Sequence, residues 1–166
     1  MQSVLAIADP TRRRIVELLA VRGTELNLSE SHQPSKIIKI MNPENKIVLT
    51  TQEVAARFDQ LAQQEKWFEI QDELFAENVR SVEPPTAKNL KNAEGKAAVR
   101  KKAEDLIKQV EKVHSSSTTA PVVAGNHFAV GRHLEITVKG LGRIKMDEVM
   151  LYEVKDGQIV LEQFFY

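Results

Sequence analysis

Hydrophobic residues follow two different periods along this chain of 166 residues, and the change comes near residue 115. Between residues 50 and 113 they recur every three or four positions, which is the spacing of amphipathic helices. From Ser115 onward they alternate with polar residues, as on the two faces of a β-strand. Helices followed by a run of strands predict an α+β fold, with the helices packed on one face of a curved, mainly antiparallel sheet.

Three helices and one short strand are predicted in the first part of this pattern. Thr50 and Glu53 have the spacing of a capping box, so the first helix is expected to begin there. Further helices are expected over residues 67–76 and 93–113, with a short strand over residues 78–83 between them. The longest helix carries basic residues interspersed with acidic ones, which favours a solvated face over a nucleic-acid surface: Lys96, Arg100, Lys101, Lys102, Lys108 and Lys112.

Four consecutive strands are predicted after the change of period, over residues 115–124, 127–139, 143–154 and 158–166. Three glycine-containing turns suited to hairpins separate the four strands. In the third of these strands the even-numbered residues are apolar apart from Glu148, so this face is expected to be buried. The last strand shows no clear apolar face. A hairpin at the preceding turn would pair even-numbered with even-numbered residues and bring Glu162 near Glu148.

Glu148 is the residue that departs from this pattern. A carboxylate on a buried face is costly unless it is paired, hydrogen-bonded or neutralised by a raised pKa. Such a group is a candidate acid, base or ligand anchor. A paired core glutamate, or a strand register that turns Glu148 to the solvent, explains the same pattern. The pattern alone leaves both interpretations open.

The composition narrows the classes of function. Lys and Arg together number 23, as do Asp and Glu, so the net charge is zero and shows no basic excess for a phosphate backbone. The chain has no cysteine, and its four histidines show no metal-ligand spacing. No apolar run approaches the roughly 20 residues of a membrane span. We therefore expect a cytoplasmic protein that binds no nucleic acid, membrane, metal ion or cofactor.

Three segments of the sequence carry a resemblance to a known family. They are LFAENVRSVEP, EGKAAVRKKAEDL and DEVMLYEVKDGQIVLEQFFY, the last of which ends the chain. Over residues 50–166 the sequence resembles the SnoaL-like polyketide cyclase group of the nuclear transport factor 2-like superfamily. The resemblance implies a domain over residues 48–166 with a cone-shaped fold, in which helices close a pocket against the sheet. It also implies a homodimer formed through the outer surface of the sheet.

The bacterial ketosteroid isomerase, a member of this superfamily, allows a comparison residue by residue. Its tail aligns with the end of this chain and places its oxyanion-binding acid at Glu148. Its catalytic tyrosine corresponds to Phe58, so the phenol is absent, and Pro84 stands where its general base would lie. Glu83 comes one residue earlier and would point to the other side of a regular strand. The comparison argues against steroid isomerisation and leaves a cyclase-type reaction with a single carboxylate, Glu148 or Glu162, as the base.

The candidate catalytic residues are therefore Glu148 and Glu162. The candidate ligand-binding residues, which are expected to reach the pocket, are Phe58, Trp67, Glu83, His127, Phe128, Met146, Met150, Phe164 and Tyr166. The favoured function is the binding of a small hydrophobic molecule, with proton transfer of the cyclase or isomerase type. A non-catalytic ligand-binding or dimerisation module is the alternative.

Residues 1–47 are predicted to form an N-terminal extension with a short helix and a linker. Its residues 4–20 include LAIADPTRRRIVELLA, which resembles the opening helix of ArsR-type winged-helix repressors. The turn, recognition helix and β-wing of a winged helix do not follow in the sequence. We expect the domain to begin near Met41 and the preceding residues to be a fragment of a neighbouring gene, with an ArsR-related regulator as the alternative.

Overall fold

The structure is a computed structural model, and it describes residues 48–166. The predicted extension over residues 1–47, with its helix and its segment similar to ArsR-type repressors, lies outside the described residues.

Three helices and seven strands make up residues 48–166. The helices are α1 (Thr51–Ala62), α2 (Trp67–Leu74) and α3 (Lys96–Ile107). The strands are β1 (Phe75–Val82), β2 (Ala93–Glu94), β3 (Val110–Thr118), β4 (Val122–Ala124), β5 (His127–Val138), β6 (Gly142–Lys155) and β7 (Gln158–Phe165). This order confirms the predicted α+β class. None of these three helices is long and apolar enough to cross a membrane.

The capping box predicted at the start of α1 is present. The hydroxyl of Thr50 accepts a hydrogen bond from the backbone N–H of Glu53 at 3.2 Å, and the Glu53 carboxylate accepts one from the backbone N–H of Thr50 at 2.8 Å. Two N–H groups that no helical carbonyl can reach are satisfied in this way.

Several predicted boundaries are wrong, and the two largest differences lie in the third helix and in the strand predicted to follow it. The helix predicted over residues 93–113 ends at Ile107, and the chain continues into β3, because pairing with β5 takes up the backbone groups of the remaining residues. The strand predicted over residues 115–124 divides into β3 and β4, which both pair with β5. Pro121 lies in the gap between them and has no N–H to donate to a ladder.

The strands form one mixed sheet in the order β2-β1-β7-β6-β5-β3, with β4 also paired to β5. All pairs are antiparallel except β1 with β7, which is parallel. The longest ladder joins β5 to β6 and runs from His127 opposite Glu153 to Val138 opposite Gly142. These two strands and β7 form the centre of the sheet, and the helices pack against its inner face.

A bulge in β7 explains why the last strand shows no clear apolar face in the sequence. The pairing with β6 shifts by one residue between Ile159 and Leu161, so Val160 is an extra residue. A bulge of this kind interrupts the alternation of side chains. Ile159 and Glu162 therefore both point to the buried face, where they are 0% and 7% exposed. In this register Glu162 lies opposite Tyr152.

Three aromatic rings form the centre of the core between α1 and the sheet. The ring centroid of Phe58 lies 5.2 Å from that of Phe128 and 4.7 Å from that of Tyr152, and the Phe128 and Tyr152 rings stack at 4.8 Å. All three side chains are at most 2% exposed. Such contacts stabilise the core by about 0.5–1.5 kcal/mol per pair beyond the burial of apolar area.

Replacing Gly157 with alanine is expected to destabilise the domain by at least about 2 kcal/mol. Gly157 has φ +78° in the turn between β6 and β7, and an added Cβ would lie 2.8 Å from the backbone nitrogen of Leu49. Both the left-handed backbone and the contact with Leu49 oppose the substitution. Urea unfolding of the variant measures the loss.

Gly140→Ala is the matched control for this change. Gly140 has φ +77°, and no atom lies within 4 Å of the position of its added Cβ. Its variant should therefore lose only the backbone contribution, about 1 kcal/mol. Equal losses for the two variants would show that the segment at Leu49 does not pack against the turn.

Candidate functional site

The inner face of the sheet and the helices α2 and α3 enclose a cavity of about 410 Å³. Most of its wall is apolar, and the apolar side chains that line it include Trp67, Phe68, Leu90, Val99, Leu106, Val113, Leu134, Ile136, Met146, Met150 and Phe164. The charged side chains in the wall are Glu65, Glu83, Lys102, Arg132, Glu148 and Glu162. A mostly apolar cavity with a few polar groups is typical of a site for a small organic molecule.

Glu148 lies on β6, with its side chain on the inner face and in the cavity wall. No hydrogen bond or ion pair within residues 48–166 involves its carboxyl group. Burial raises the pKa of Glu148 to about 7. Arg132 and Lys102 oppose this rise, whereas the carboxylates of Glu83 and Glu162 add to it. Near neutral pH the group is therefore present in both protonation states.

Glu162 is the second carboxyl group of the cavity. It lies on β7 beside Ser81 of β1, and its side chain is almost completely buried. Burial raises the pKa of Glu162, although a hydrogen bond with the Ser81 hydroxyl and the charge of Lys102 favour the ionised form. The nearby carboxylate of Glu83 adds to the rise.

Lys102 connects the buried carboxylates with helix α3. Its ammonium group donates to Glu83 Oε1 and to Ser81 Oγ, each at 2.6 Å, and it lies 5.0 Å from the centre of the Phe164 ring. The Tyr166 hydroxyl donates to the other carboxylate oxygen of Glu83 at 2.9 Å. Glu83 is therefore held by two donors and is not free to react.

Arg132 lies on β5, directly opposite Glu148 in the ladder, and its side chain is only 10% exposed. Its guanidinium group donates to Thr118 Oγ1 at 3.0 Å and to Glu65 Oε2 at 3.1 Å. The group also stacks on Trp67, with its central carbon 4.0 Å from the ring centre. These contacts fix the orientation of the guanidinium group in the cavity wall.

The structure brings most of the candidate residues of the sequence to the cavity. Those that line it are Glu148, Glu162, Trp67, Glu83, Met146, Met150 and Phe164. Tyr166 lies just outside the lining, where it holds Glu83. Tyr152, which is not among the candidates, also lines the cavity, and burial raises the pKa of its hydroxyl group, so that it stays protonated.

Besides Tyr166, three other candidate residues do not reach the cavity. Phe58 and Phe128 are packed in the aromatic core behind Tyr152 and do not reach the cavity. His127 lies at the start of β5, next to the inward-facing Phe128, so the alternation of the strand turns its side chain to the outer face.

The expected direction of Glu83 is also wrong. Val79 and Ser81 are fully buried, and Glu83 follows them at the same two-residue spacing, 8% exposed. It therefore points to the inner face. If the buried face of this strand is assigned from the apolar residue Val79, its alternation places Glu83 on the same face.

Three charged residues of the cavity wall were missed in the sequence, namely Glu65, Lys102 and Arg132. Lys102 belongs to the helix whose basic residues were assigned to the solvent. Arg132 occupies an even-numbered position between Val130 and Leu134, and this position on the apolar face of β5 was the signal for it. An arginine in the middle of an apolar face has the same diagnostic value as Glu148.

Solved structures of similar fold support this description. A candidate SnoaL-like polyketide cyclase, also described as a carbohydrate phosphatase, from Mesorhizobium loti is 33% identical, with a TM-score of 0.67, over 71% of this chain and 100% of its own. A candidate isomerase from Bacillus subtilis is 23% identical, with a TM-score of 0.53, over 70% of this chain and 88% of its own.

A protein with a ketosteroid isomerase-like fold from Catenulispora acidiphila, solved in complex with trimethylamine, is 18% identical. Its TM-score is 0.54, over 70% of this chain and 87% of its own. Among curated proteins, none matches this chain. These structural neighbours confirm the expected cone-shaped α+β fold of the nuclear transport factor 2-like type.

The family model of the SnoaL-like domain matches residues 49–166, which is more than two thirds of the chain. The match begins one residue before Thr50, which caps α1, and extends through β7 to the final residue. It therefore spans every helix and strand described above. The chain belongs to the family of SnoaL-like domain proteins.

Proposed function

We propose that the cavity binds a small, largely apolar organic molecule and that Glu148 removes a proton from an acidic carbon of that molecule. The observation that carries this proposal is the state of Glu148 itself. Its carboxyl group has no partner within residues 48–166, lies in an apolar wall, and has a pKa of about 7. A carboxylate with this pKa is a stronger base than an exposed one and is still partly ionised at neutral pH.

The reaction would begin with a C–H bond next to a carbonyl group of the ligand. Glu148 takes the proton, and the electron pair of the C–H bond moves into an enolate. Return of the proton to a different carbon of a conjugated enolate gives an isomer. Attack of the enolate carbon on a second carbonyl closes a ring and leaves an alkoxide, which takes the proton from Glu148 and becomes a hydroxyl group. Both outcomes regenerate the carboxylate, so one base is sufficient.

Glu162 is the residue best placed to assist. Glu83 is already bound by Lys102 and Tyr166, and His127 lies on the outer face. Glu162 lies in the cavity wall with a raised pKa, so it can hold a proton and pass it to or from the ligand.

A deuterium exchange measurement tests the proposal. The probes are ketones with an aromatic ring and an acidic C–H bond next to the carbonyl group, beginning with 2-tetralone, whose benzylic C1 is its more acidic position. NMR in D₂O follows their exchange. The protein should accelerate exchange, and the rate should rise with pH around about pH 7 because the base is the ionised form. Fluorescence of Trp67, the single tryptophan, reports binding in the cavity independently.

Two results would contradict the proposal. Ketones that quench Trp67 without faster exchange would show a binding site without a base. A panel in which no ketone binds would show that the ligand class is wrong.

Binding without catalysis is the second candidate function. It is favoured by the loss of two groups that the resemblance to ketosteroid isomerase implies, since Phe58 replaces the phenol and Pro84 replaces the base.

The homodimer stays a prediction. Val149 and Phe165 are paired across β6 and β7 on the outer face and are 48% and 47% exposed, which is compatible with such an interface.

A further inference from the structure

Proton removal from carbon leaves a negative charge on the carbonyl oxygen of the ligand. Enzymes of this type stabilise that charge with fixed hydrogen-bond donors. The tyrosine expected for this role is Phe58 in this chain, and Phe58 is buried away from the cavity. Another donor in the wall is therefore required if Glu148 acts as a base.

We propose that Arg132 binds the ligand oxygen on which this charge develops, and that the ligand carbon lies between Arg132 and Glu148. The inference rests on the proposed function, because it identifies the group that stabilises the negative charge formed when Glu148 removes the proton.

The hydrogen bonds of Arg132 leave donors for a ligand. A guanidinium group has five N–H donors. Within residues 48–166 its described side-chain bonds are one to Thr118 and one to Glu65. The side chain is 10% exposed and lines the cavity. The N–H groups of Arg132 that make neither of these bonds are therefore available to a molecule bound in the cavity.

The position of Arg132 relative to Glu148 suits a ligand between them. The two residues are directly opposite in the β5–β6 ladder, yet they form no ion pair within 4.0 Å among the described residues. Arg132 is instead paired with Glu65, whose side chain is 48% exposed. A partner that is about half exposed neutralises the guanidinium charge only in part. Arg132 therefore retains attraction for a negative oxygen, while Glu148 remains free to accept a proton.

Binding of 4-nitrophenolate tests this assignment, because its ring and negative oxygen mimic an enolate. The measurement uses the Glu148→Gln variant, which reproduces the uncharged carboxyl group present after proton transfer. Absorbance reports binding of the phenolate, and quenching of Trp67 reports binding of 4-nitroanisole, its uncharged analogue. Arg132→Met should weaken phenolate binding at least about tenfold and leave 4-nitroanisole binding unchanged.

Two further variants exclude a purely structural effect. Arg100→Met is the matched control, because Arg100 also stacks on an aromatic ring, that of Phe68, and also pairs with an acidic residue, but does not line the cavity. It should leave both affinities unchanged. Glu65→Gln should strengthen phenolate binding, since it removes the Glu65 carboxylate that competes with the phenolate for Arg132. A structural role for Arg132 predicts a loss instead.

The outcomes distinguish this inference from the proposed function. Unchanged phenolate binding in Arg132→Met overturns the role of Arg132, and the same holds if phenolate and 4-nitroanisole weaken together. If Arg132→Met does not fold, Arg132→Lys is used instead, since it keeps the charge but lacks the planar pair of N–H donors. This variant must then weaken binding of the phenolate and not that of 4-nitroanisole. If the Glu148→Gln protein with Arg132 intact binds 4-nitroanisole but no phenolate, the inference is also overturned and the cavity remains a ligand site. If neither ligand binds, this inference and the proposed function are overturned together.

Discussion

Glu148→Gln is expected to slow proton exchange at the carbon of a bound ketone by at least about a hundredfold. Glutamine has nearly the same shape as the neutral carboxyl group but cannot accept a proton at neutral pH. The rise in exchange rate around about pH 7 should disappear with it, because the pKa that governs this rise belongs to Glu148. NMR measurement of exchange across this pH range gives both results.

Glu153→Gln is the matched control. Glu153 lies on the same strand, at an odd-numbered position on the outer face, and contacts Asn126 at 3.4 Å. Its variant should exchange at the rate of the parent protein. Equal rates for Glu148→Gln and the parent would remove Glu148 as the base.

The stability of Glu148→Gln provides a second control with a defined sign. The pKa of Glu148 is about 7 in the folded protein and 4.5 in an ordinary environment, so the folded state binds more protons between these values. This carboxyl group therefore lowers stability as the pH rises through that range. Glutamine removes the penalty, and above about pH 7 the variant should be more stable than the parent by up to about 3 kcal/mol. Loss of exchange in a more stable protein cannot come from unfolding.

Much of the fold follows from local patterns in the sequence. The capping box at Thr50 and the alternation along β6 are read directly from neighbouring residues, and both predictions are confirmed. The end of α3 was wrong because residues after Ile107 have a helical pattern but pair with β5, which is distant in sequence. The bulge at Val160 depends on the register with β6, and the sequence shows it only as a strand without a clear apolar face.

The site is less predictable because its polar groups come from separate elements. Glu148 was found because one charge interrupts an apolar face. Lys102 belongs to a helix that carries many lysines, and its contact with Glu83 depends on how α3 crosses β1. Contacts such as that between Lys102 and Glu83 depend on how the elements pack, which cannot be read from a single sequence.

Lys102→Met is expected to destabilise the domain by about 3 kcal/mol at neutral pH. Lys102 and Glu83 form an ion pair with side chains 18% and 4% exposed, at 2.6 Å. Methionine fills a similar volume but leaves the buried carboxylate without its cation, and it also removes the contact with the Phe164 ring. Urea unfolding measures the loss.

Lys101→Met separates this effect from a general change of helix charge. Lys101 is the preceding residue of α3, its side chain is 72% exposed, and it pairs with Asp105 on the surface, so its loss should have no measurable effect. The double variant Lys102→Met, Glu83→Gln should recover a large part of the stability, because the charge and its partner are removed together. No recovery in the double variant would mean that Lys102 stabilises the fold through its packing against Phe164. The buried ion pair would then contribute little to holding the cavity wall.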